Sequence, residues 1–216
     1  MGNEQALRQS MVDVMQQMDA RGLNRGTSGN VSIRVDGGML VTPSGVVPGR
    51  LTAEQMVFVD NAGNWDDQGP RPSSEWRMHL GLYLARGEVG AVVHCHSRHA
   101  TILACAGREI PSVHYMVAVA GGAKVPLAPY ATFGSEELAQ AIATTLDGYR
   151  ACLMTNHGQI AVGRTIHQAL AVADEVEEQA AVYCGTLTIG GPLLLDDAEM
   201  ARIGQAFMRY GQQKQG

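Results

Sequence analysis

Residues 89 to 96, Val-Gly-Ala-Val-Val-His-Cys-His, place the tightest constraint on how this chain folds. An apolar run of this length, ending on polar residues, predicts a central, buried strand. Side chains alternate faces along a strand. His94 and His96 therefore point the same way, ~7 Å apart along the backbone, and Cys95 points the opposite way. Two imidazoles on one face at a strand end are either half of a metal site or a polar strand end with no ligand.

The 216 residues suffice for one α/β domain with a substantial core, and we expect a single domain over 1–216. Apolar residues make up 45% and charged residues 17%, a globular balance. The formal charge of −5 gives no broad attraction for nucleic acid or an anionic membrane, so neither is expected as a partner. The N-terminus carries Glu4, Arg8 and Asp13 in a helix-like pattern instead of a signal sequence, and no apolar run approaches membrane-spanning length. Cys95, Cys105, Cys152 and Cys184 show no paired spacing and sit in apolar surroundings, as expected of buried thiols in a reducing cytoplasm.

Upstream of the central strand, residues 4 to 21 read as a helix. Leu7, Met11, Val14 and Met18 draw one apolar stripe, and Gly22 ends it. Gly26-Thr27-Ser28-Gly29-Asn30 leads into the alternating strand Val31-Ser32-Ile33-Arg34-Val35. Asp36-Gly37-Gly38 turns the chain, and residues 39–42 return as the hairpin partner. Pro43-Ser44-Gly45 is a second small polar turn. Two such turns either cradle an anionic oxygen such as a phosphate or are simply tight turns. No Gly-x-x-x-x-Gly-Lys pattern is present, so a nucleotide P-loop is not supported. Residues 56–60 form a short strand. Pro70-Arg71-Pro72 then forces an extended entry to Ser73-Ser74-Glu75 and a helix over 76–86, with Ser73 or Ser74 as its cap. Glu75 would favour the helix dipole, and serines at a helix start are where an anion would bind.

Downstream, residues 100–106 should be helical and 113–119 a strand containing His114-Tyr115, with 125–128 running on. Ser135 caps a helix to Leu146. Residues 152–155 form a buried strand ending in Asn156-His157-Gly158, so His157 occupies the same kind of place as His94 and His96. Thr165 caps a long helix to about Cys184, whose Glu175, Glu177 and Glu178 are expected on a solvated face. A last helix over 197–210 precedes a polar tail, about 211–216, expected to be loose. His79, His99 and His167 read as packing or surface histidines.

Three histidines at two strand ends, with a carboxylate at a helix start, match the inventory of a catalytic zinc site. The metalloprotease pattern His-Glu-x-x-His is absent. Arg98 stands where a lactamase-type hydrolase would need an aspartate, and Ala100 and Thr101 stand where a cupin would need a glutamate.

Taken as ordered blocks, 29–32, 42–45, 73–76, 93–96, 110–116, 128–134 and 156–158 resemble the class II aldolase/epimerase family of sugar-phosphate enzymes, over nearly the whole chain. The resemblance implies a three-layer α/β/α fold around a mixed, mostly antiparallel sheet. It also implies a C4 homotetramer with active sites at subunit interfaces. One Zn2+ per subunit would be held by His94, His96 and His157, with Glu75 both fourth ligand and catalytic base. Asn30, Ser44, Gly45, Ser73 and Ser74 would form the phosphate pocket, helped by Thr27. Tyr115, from a neighbouring subunit, would donate a proton to the aldehyde oxygen, and Tyr210 would be a second tyrosine on the substrate side. The implied reaction is zinc-dependent retro-aldol cleavage of a ketose 1-phosphate, of the L-fuculose 1-phosphate kind, to dihydroxyacetone phosphate and a small aldehyde.

5-Deoxyribulose 1-phosphate and 5-methylthioribulose 1-phosphate would use the same zinc and phosphate groups. Pentulose-phosphate 4-epimerases of this family carry an aspartate where Glu75 stands and a further acid near 114–116, and neither is present. Decarboxylases and dehydratases share the zinc histidines. Structural relatives have lost the metal, whereas this chain keeps all three histidines and the glutamate, as an enzyme would.

Overall fold

The structure, a computed structural model, describes residues 2–209. Seven strands form one sheet: β1 (Asn30–Val35), β2 (Gly38–Val41), β3 (Val57–Asp60), β4 (Ala91–Cys95), β5 (Leu127–Ala128), β6 (Ala151–Met154) and β7 (Gly158–Gly163). Their spatial order is β3-β2-β1-β4-β7-β6-β5. Every neighbouring pair is antiparallel except β5 with β6. The expected central strand is β4, the fourth of the seven.

Strand alternation divides the core into two layers. Val31, Ile33, Leu40, Val93, Cys95, Leu153 and Ala161 pack on one face, against α1 (Gly2–Ala20), α3 (Arg98–Cys105) and α5 (Ile166–Thr188). Met39, Val41, Val92, Cys152, Met154, Ile160 and Val162 pack on the other, against α2 (Trp76–Ala85) and α4 (Glu136–Thr145). This is the three-layer α/β/α arrangement around a mixed, mostly antiparallel sheet. The stripe expected on α1 is buried through Met11, Val14 and Met18, and Gly22 follows with φ 71°. Cys95 lies in the α1/α3/α5 layer, so His94 faces the α2/α4 layer. Helix α6 (Asp197–Arg209) closes the described chain. Among the described residues no helix is long and apolar enough to cross a membrane.

Five expectations need correction. Residues 113–119 are not a strand: Tyr115–Ala120 form a 3-10 helix, capped by the His114 ring, which accepts from the Met116 N–H, and ended by Gly121 at φ 96°. A continuous apolar run has no period that separates a strand from a helical turn, and the local pairing goes to an isolated bridge between Ile110 and Val125. Neither Ser73 nor Ser74 caps α2. Glu75 holds the cap position at φ −101°, ψ 13°, and its side chain makes no capping bond. Glu175 and Glu177 are not merely solvated. Glu175 accepts from Gln179, and Glu177 accepts from the backbone N–H groups of His99 and Ala100 and pairs with the His99 ring. Cys105 is exposed and Cys184 half-buried, whereas Cys95 and Cys152 are buried as expected. The long helix runs past Cys184 to Thr188.

Candidate metal centre

Three segments converge where β4 and β6 end. His94 closes the apolar run of β4 and is fully buried; His96 follows just beyond the strand. His157 sits in the turn that joins β6 to β7. There Asn156 takes φ 56°, a left-handed conformation that asparagine tolerates. The next residue has to be small. A Cβ on Gly158 would lie 2.5 Å from the Cys95 carbonyl oxygen and 3.0 Å from His96 Cδ2, so glycine lets the turn close onto the histidine pair. From the α2 side comes Glu75, 8% exposed.

One ligand atom from each of Glu75, His94, His96 and His157 lies within 4.8 Å of all the others, a group that could hold a metal ion. The three imidazole centroids stand 4.8, 4.9 and 5.0 Å apart, nearly an equilateral triangle. His94 Nε2 is 3.0 Å from His96 Nε2 and 3.2 Å from Glu75 Oε2. Glu75 Oε1 lies 3.0 Å from His157 Nε2 yet is buried without a properly directed hydrogen bond. Four donor atoms turned toward one another at these distances repel or waste lone pairs unless a cation or protons sit among them. His94 is prepared for a cation: its Nδ1 is 2.8 Å from the Gln159 carbonyl, which can only accept, so Nδ1 carries the hydrogen and Nε2 presents a lone pair.

Electrostatics agree with a tightly coupled group. Without a metal ion, burial opposes the charge on Glu75, but a protonated His94 and the close imidazoles of His157 and His94 outweigh it and hold the carboxyl well below its usual range. Burial pulls His94 down, and the Glu75 charge more than restores it, leaving it raised. His96 is pushed to about 3 by burial and then by the charges of His94 and His157. A neutral His96 is the form that binds a metal.

The expected phosphate residues lie beside this group. Thr42-Pro43-Ser44 runs along Arg71-Pro72-Ser73: the Ser44 N–H donates to the Arg71 carbonyl at 2.9 Å and the Ser73 N–H to the Thr42 carbonyl at 2.9 Å. Ser44, Gly45 and Ser74 are exposed, and Ser73 is buried with its Oγ accepting from the Glu75 N–H at 3.3 Å. Asn30, opposite His94 in the β1–β4 register, turns its amide between Glu75 and His79. Its Nδ2 donates to Glu75 Oε2 at 2.9 Å, and its Oδ1 lies 2.6 Å from His79 Nε2. Thr27 is exposed, and no hydrogen bond ties it to these turns among the described residues. Tyr115 is 47% exposed, and its ring neighbours are His114 and Phe207 instead of the histidine triangle. Tyr210 lies outside the described residues.

Two contributors were not anticipated from sequence, the backbone of Gln159 and the buried His79. Gln159 carries no signal, because a carbonyl looks alike in every residue. His79 carries one: it lies one helical turn after Glu75, on the same face of α2.

Residues 9–184 match the family described as Class II Aldolase and Adducin N-terminal domain. The chain belongs to this family. It is 46% identical over 215 residues to a 5-methylthioribulose-1-phosphate/5-deoxyribulose-1-phosphate aldolase from Rhodospirillum rubrum, covering 99% of this chain and 96% of that one. It is 43% identical to the L-fuculose phosphate aldolase of Escherichia coli K12, covering 95% of each. Among solved structures, an L-fuculose 1-phosphate aldolase superposes with a TM-score of 0.91 at 36% identity, over 94% of this chain and 96% of that one. Membership and these relatives make the chain an enzyme of the class II aldolase type, and the Glu75–His94–His96–His157 cluster is its candidate metal centre.

Proposed function

We propose that this class II aldolase cleaves the C3–C4 bond of a ketose 1-phosphate to dihydroxyacetone phosphate and a small aldehyde, with one zinc ion as cofactor. The observation that carries the reading is a single carboxylate and three convergent imidazoles within 4.8 Å, set beside two serine-bearing turns. Three nitrogens and one oxygen suit zinc, and one carboxylate leaves the centre a net positive charge toward an oxygen-rich substrate. His94, His96, His157 and Glu75 would hold the ion. When bound, it supplies Lewis-acid stabilisation of the negative charge that C–C cleavage leaves on the substrate.

The protein's own groups do the rest. Exposed Ser44, Gly45 and Ser74, with Ser73 and Asn30 behind them, offer hydroxyls and N–H groups to the phosphate without a lysine, and hold the common three-carbon fragment in register. Thr27 is a further candidate at the rim. Cleavage moves one proton, in net, from the C4 hydroxyl to C3. Glu75 exchanges the proton at C3, Tyr115 from a neighbouring subunit serves the aldehyde oxygen, and Tyr210 is proposed as a second tyrosine on the substrate side. That division fits the exposure of Tyr115, whose ring packs on His114 and Phe207. We further propose, from the family resemblance and the sequence, a C4 homotetramer in the cytoplasm, with the whole chain acting as one domain.

The relatives named above are aldolases of 5-methylthioribulose 1-phosphate, 5-deoxyribulose 1-phosphate and L-fuculose 1-phosphate, so the phosphate end is the shared element. The test is a retro-aldol panel of L-fuculose 1-phosphate, 5-deoxyribulose 1-phosphate and 5-methylthioribulose 1-phosphate, coupled to reduction of the released dihydroxyacetone phosphate. We expect release from at least one, loss on chelation and recovery with zinc. No release from any of the three by zinc-loaded protein overturns the reading.

A further inference from the structure

We infer that His79 is a positioning residue for Glu75, setting the orientation of the Asn30 amide that donates to the Glu75 carboxylate. The inference deepens the reading above and rests on the proton-transfer role given there to Glu75.

Each hydrogen-bond donor between Tyr83 and Glu75 is forced by the next acceptor. An ionised carboxylate only accepts, so the Asn30 group 2.9 Å from Glu75 Oε2 is the NH2. Asn30 Oδ1 then faces away and needs a donor, which is His79 Nε2–H at 2.6 Å. A neutral imidazole with hydrogen on Nε2 has its lone pair on Nδ1, and Ser32 Oγ stands there at 2.7 Å. The one hydroxyl proton of Ser32 is thereby spent, so the Tyr83 O–H, 2.8 Å away, donates to Ser32. Asn30 is 4% exposed, Ser32 0%, His79 0% and Tyr83 3%, so bulk water cannot substitute for any of these partners. Reversing the His79 tautomer would turn Asn30 Oδ1 onto Glu75 Oε2, two acceptors within hydrogen-bond distance.

The arrangement follows from two periodicities meeting. Glu75, His79 and Tyr83 recur every fourth residue along one face of α2, and Asn30 and Ser32 alternate on one face of β1. A helix–sheet contact elsewhere in this layer is built from Met78, Leu82, Val41 and Val92, so a polar rod at this one seam is not what packing alone requires. It ends on Glu75, one residue of the metal centre, and aims every proton toward it.

Three variants of the zinc-loaded enzyme test the inference. His79→Phe keeps the ring volume and removes both nitrogens. His79→Gln keeps a donor near the Nε2 position. Ser32→Ala removes the partner that selects the tautomer. The decisive readout is exchange of the C3 hydrogen of dihydroxyacetone phosphate with D2O, followed by NMR without aldehyde, alongside kcat, KM and zinc content. We expect His79→Phe to lower both exchange and kcat by about tenfold to a hundredfold, the usual weight of a hydrogen bond to a charged group. Ser32→Ala should lower them by about tenfold, and His79→Gln should recover most of the loss. KM and zinc stoichiometry should stay within about twofold in all three. Wild-type exchange rates in His79→Phe and Ser32→Ala overturn the inference, as does a parallel fall of KM-level binding and zinc content with kcat, which is the mark of a merely structural role. If His79→Phe does not fold, Ser32→Ala decides. A wild-type enzyme that neither exchanges nor cleaves overturns the aldolase reading itself, and this inference with it.

Discussion

At Glu75, burial and charge pull in opposite directions, and the histidine partners win, keeping the carboxyl ionised. Its helix loses a capping bond as a result, since the side chain turns into the centre and leaves the first N–H groups of α2 to others. Such a cap is ordinarily worth ~1 kcal/mol, which is the scale of what stability gives up here to the site. Glu75→Gln keeps the shape and removes the base. With zinc retained, kcat for release of dihydroxyacetone phosphate should fall by about 10²- to 10⁴-fold, and undiminished aldol activity would remove Glu75 from the mechanism. His79 supplies a pH prediction. Burial, then the charge of His94, lowers it from 6.5 to about 3. Below pH 6.5 the unfolded chain protonates this histidine and the folded one does not. Its contribution is therefore complete above about pH 6.5 and is lost as pH falls toward about 3, at up to ~1.4 kcal/mol per pH unit. Urea unfolding of the chelated protein between pH 7.5 and 4.5 should show a shallower pH dependence in His79→Gln than in wild type. Parallel curves would contradict the assignment.

Among the elements, the metal centre depends on how closely β4 and β7 approach. Gly158→Ala puts a methyl group 2.5 Å from a backbone oxygen that cannot move without disturbing the strand pair. We expect a loss of about 1–3 kcal/mol in unfolding free energy, with weakened zinc binding. Gly49→Ala, where nothing stands within 4 Å, serves as the control and should change stability by less than about 0.5 kcal/mol. Helix α3 begins right after the histidine pair, and Glu177 of α5 accepts its first N–H groups at 3.0 and 3.1 Å from His99 and 3.0 Å from Ala100. Glu177→Ala should cost about 1–2 kcal/mol by chemical denaturation, whereas Glu178→Ala, exposed on the same helix, should be nearly neutral. The helix stripe, the hairpin, the Ser135 and Thr165 caps and the β4 run were all readable from periodicity and cap chemistry. The 3-10 helix at Tyr115–Ala120 and the cap role of Glu177 were not, because one lies in an aperiodic apolar run and the other acts across 78 positions of sequence.

For the whole molecule, the exposed aromatic and aliphatic groups are the feature a single chain leaves unexplained. Tyr115, Tyr130 and Phe133 are 47, 64 and 67% exposed, and Ile189 and Leu193 are 83 and 94% exposed. The proposed homotetramer would give them a partner, and sedimentation of the purified enzyme should return four subunits. If Tyr115 acts across an interface, inactive Glu75→Gln and Tyr115→Phe chains, co-expressed, should form mixed rings in which about a quarter of sites are intact. No activity above the separate variants would place Tyr115 in its own subunit's site or outside the mechanism. The division between sequence and structure runs along range of interaction. Residue chemistry and spacing determined that His94 and His96 share a face, that His157 ends another strand beside a glycine, and that a carboxylate opens a helix, because those are properties of the backbone period within a few residues. Only the tertiary structure decided that these three segments meet within 4.8 Å and that Asn30 serves Glu75. It alone placed His79 behind Asn30 and left Tyr115 facing outward. Those outcomes depend on strand order and helix–sheet packing, where residues tens of positions apart are brought into one low-dielectric space and each hydrogen bond dictates the next.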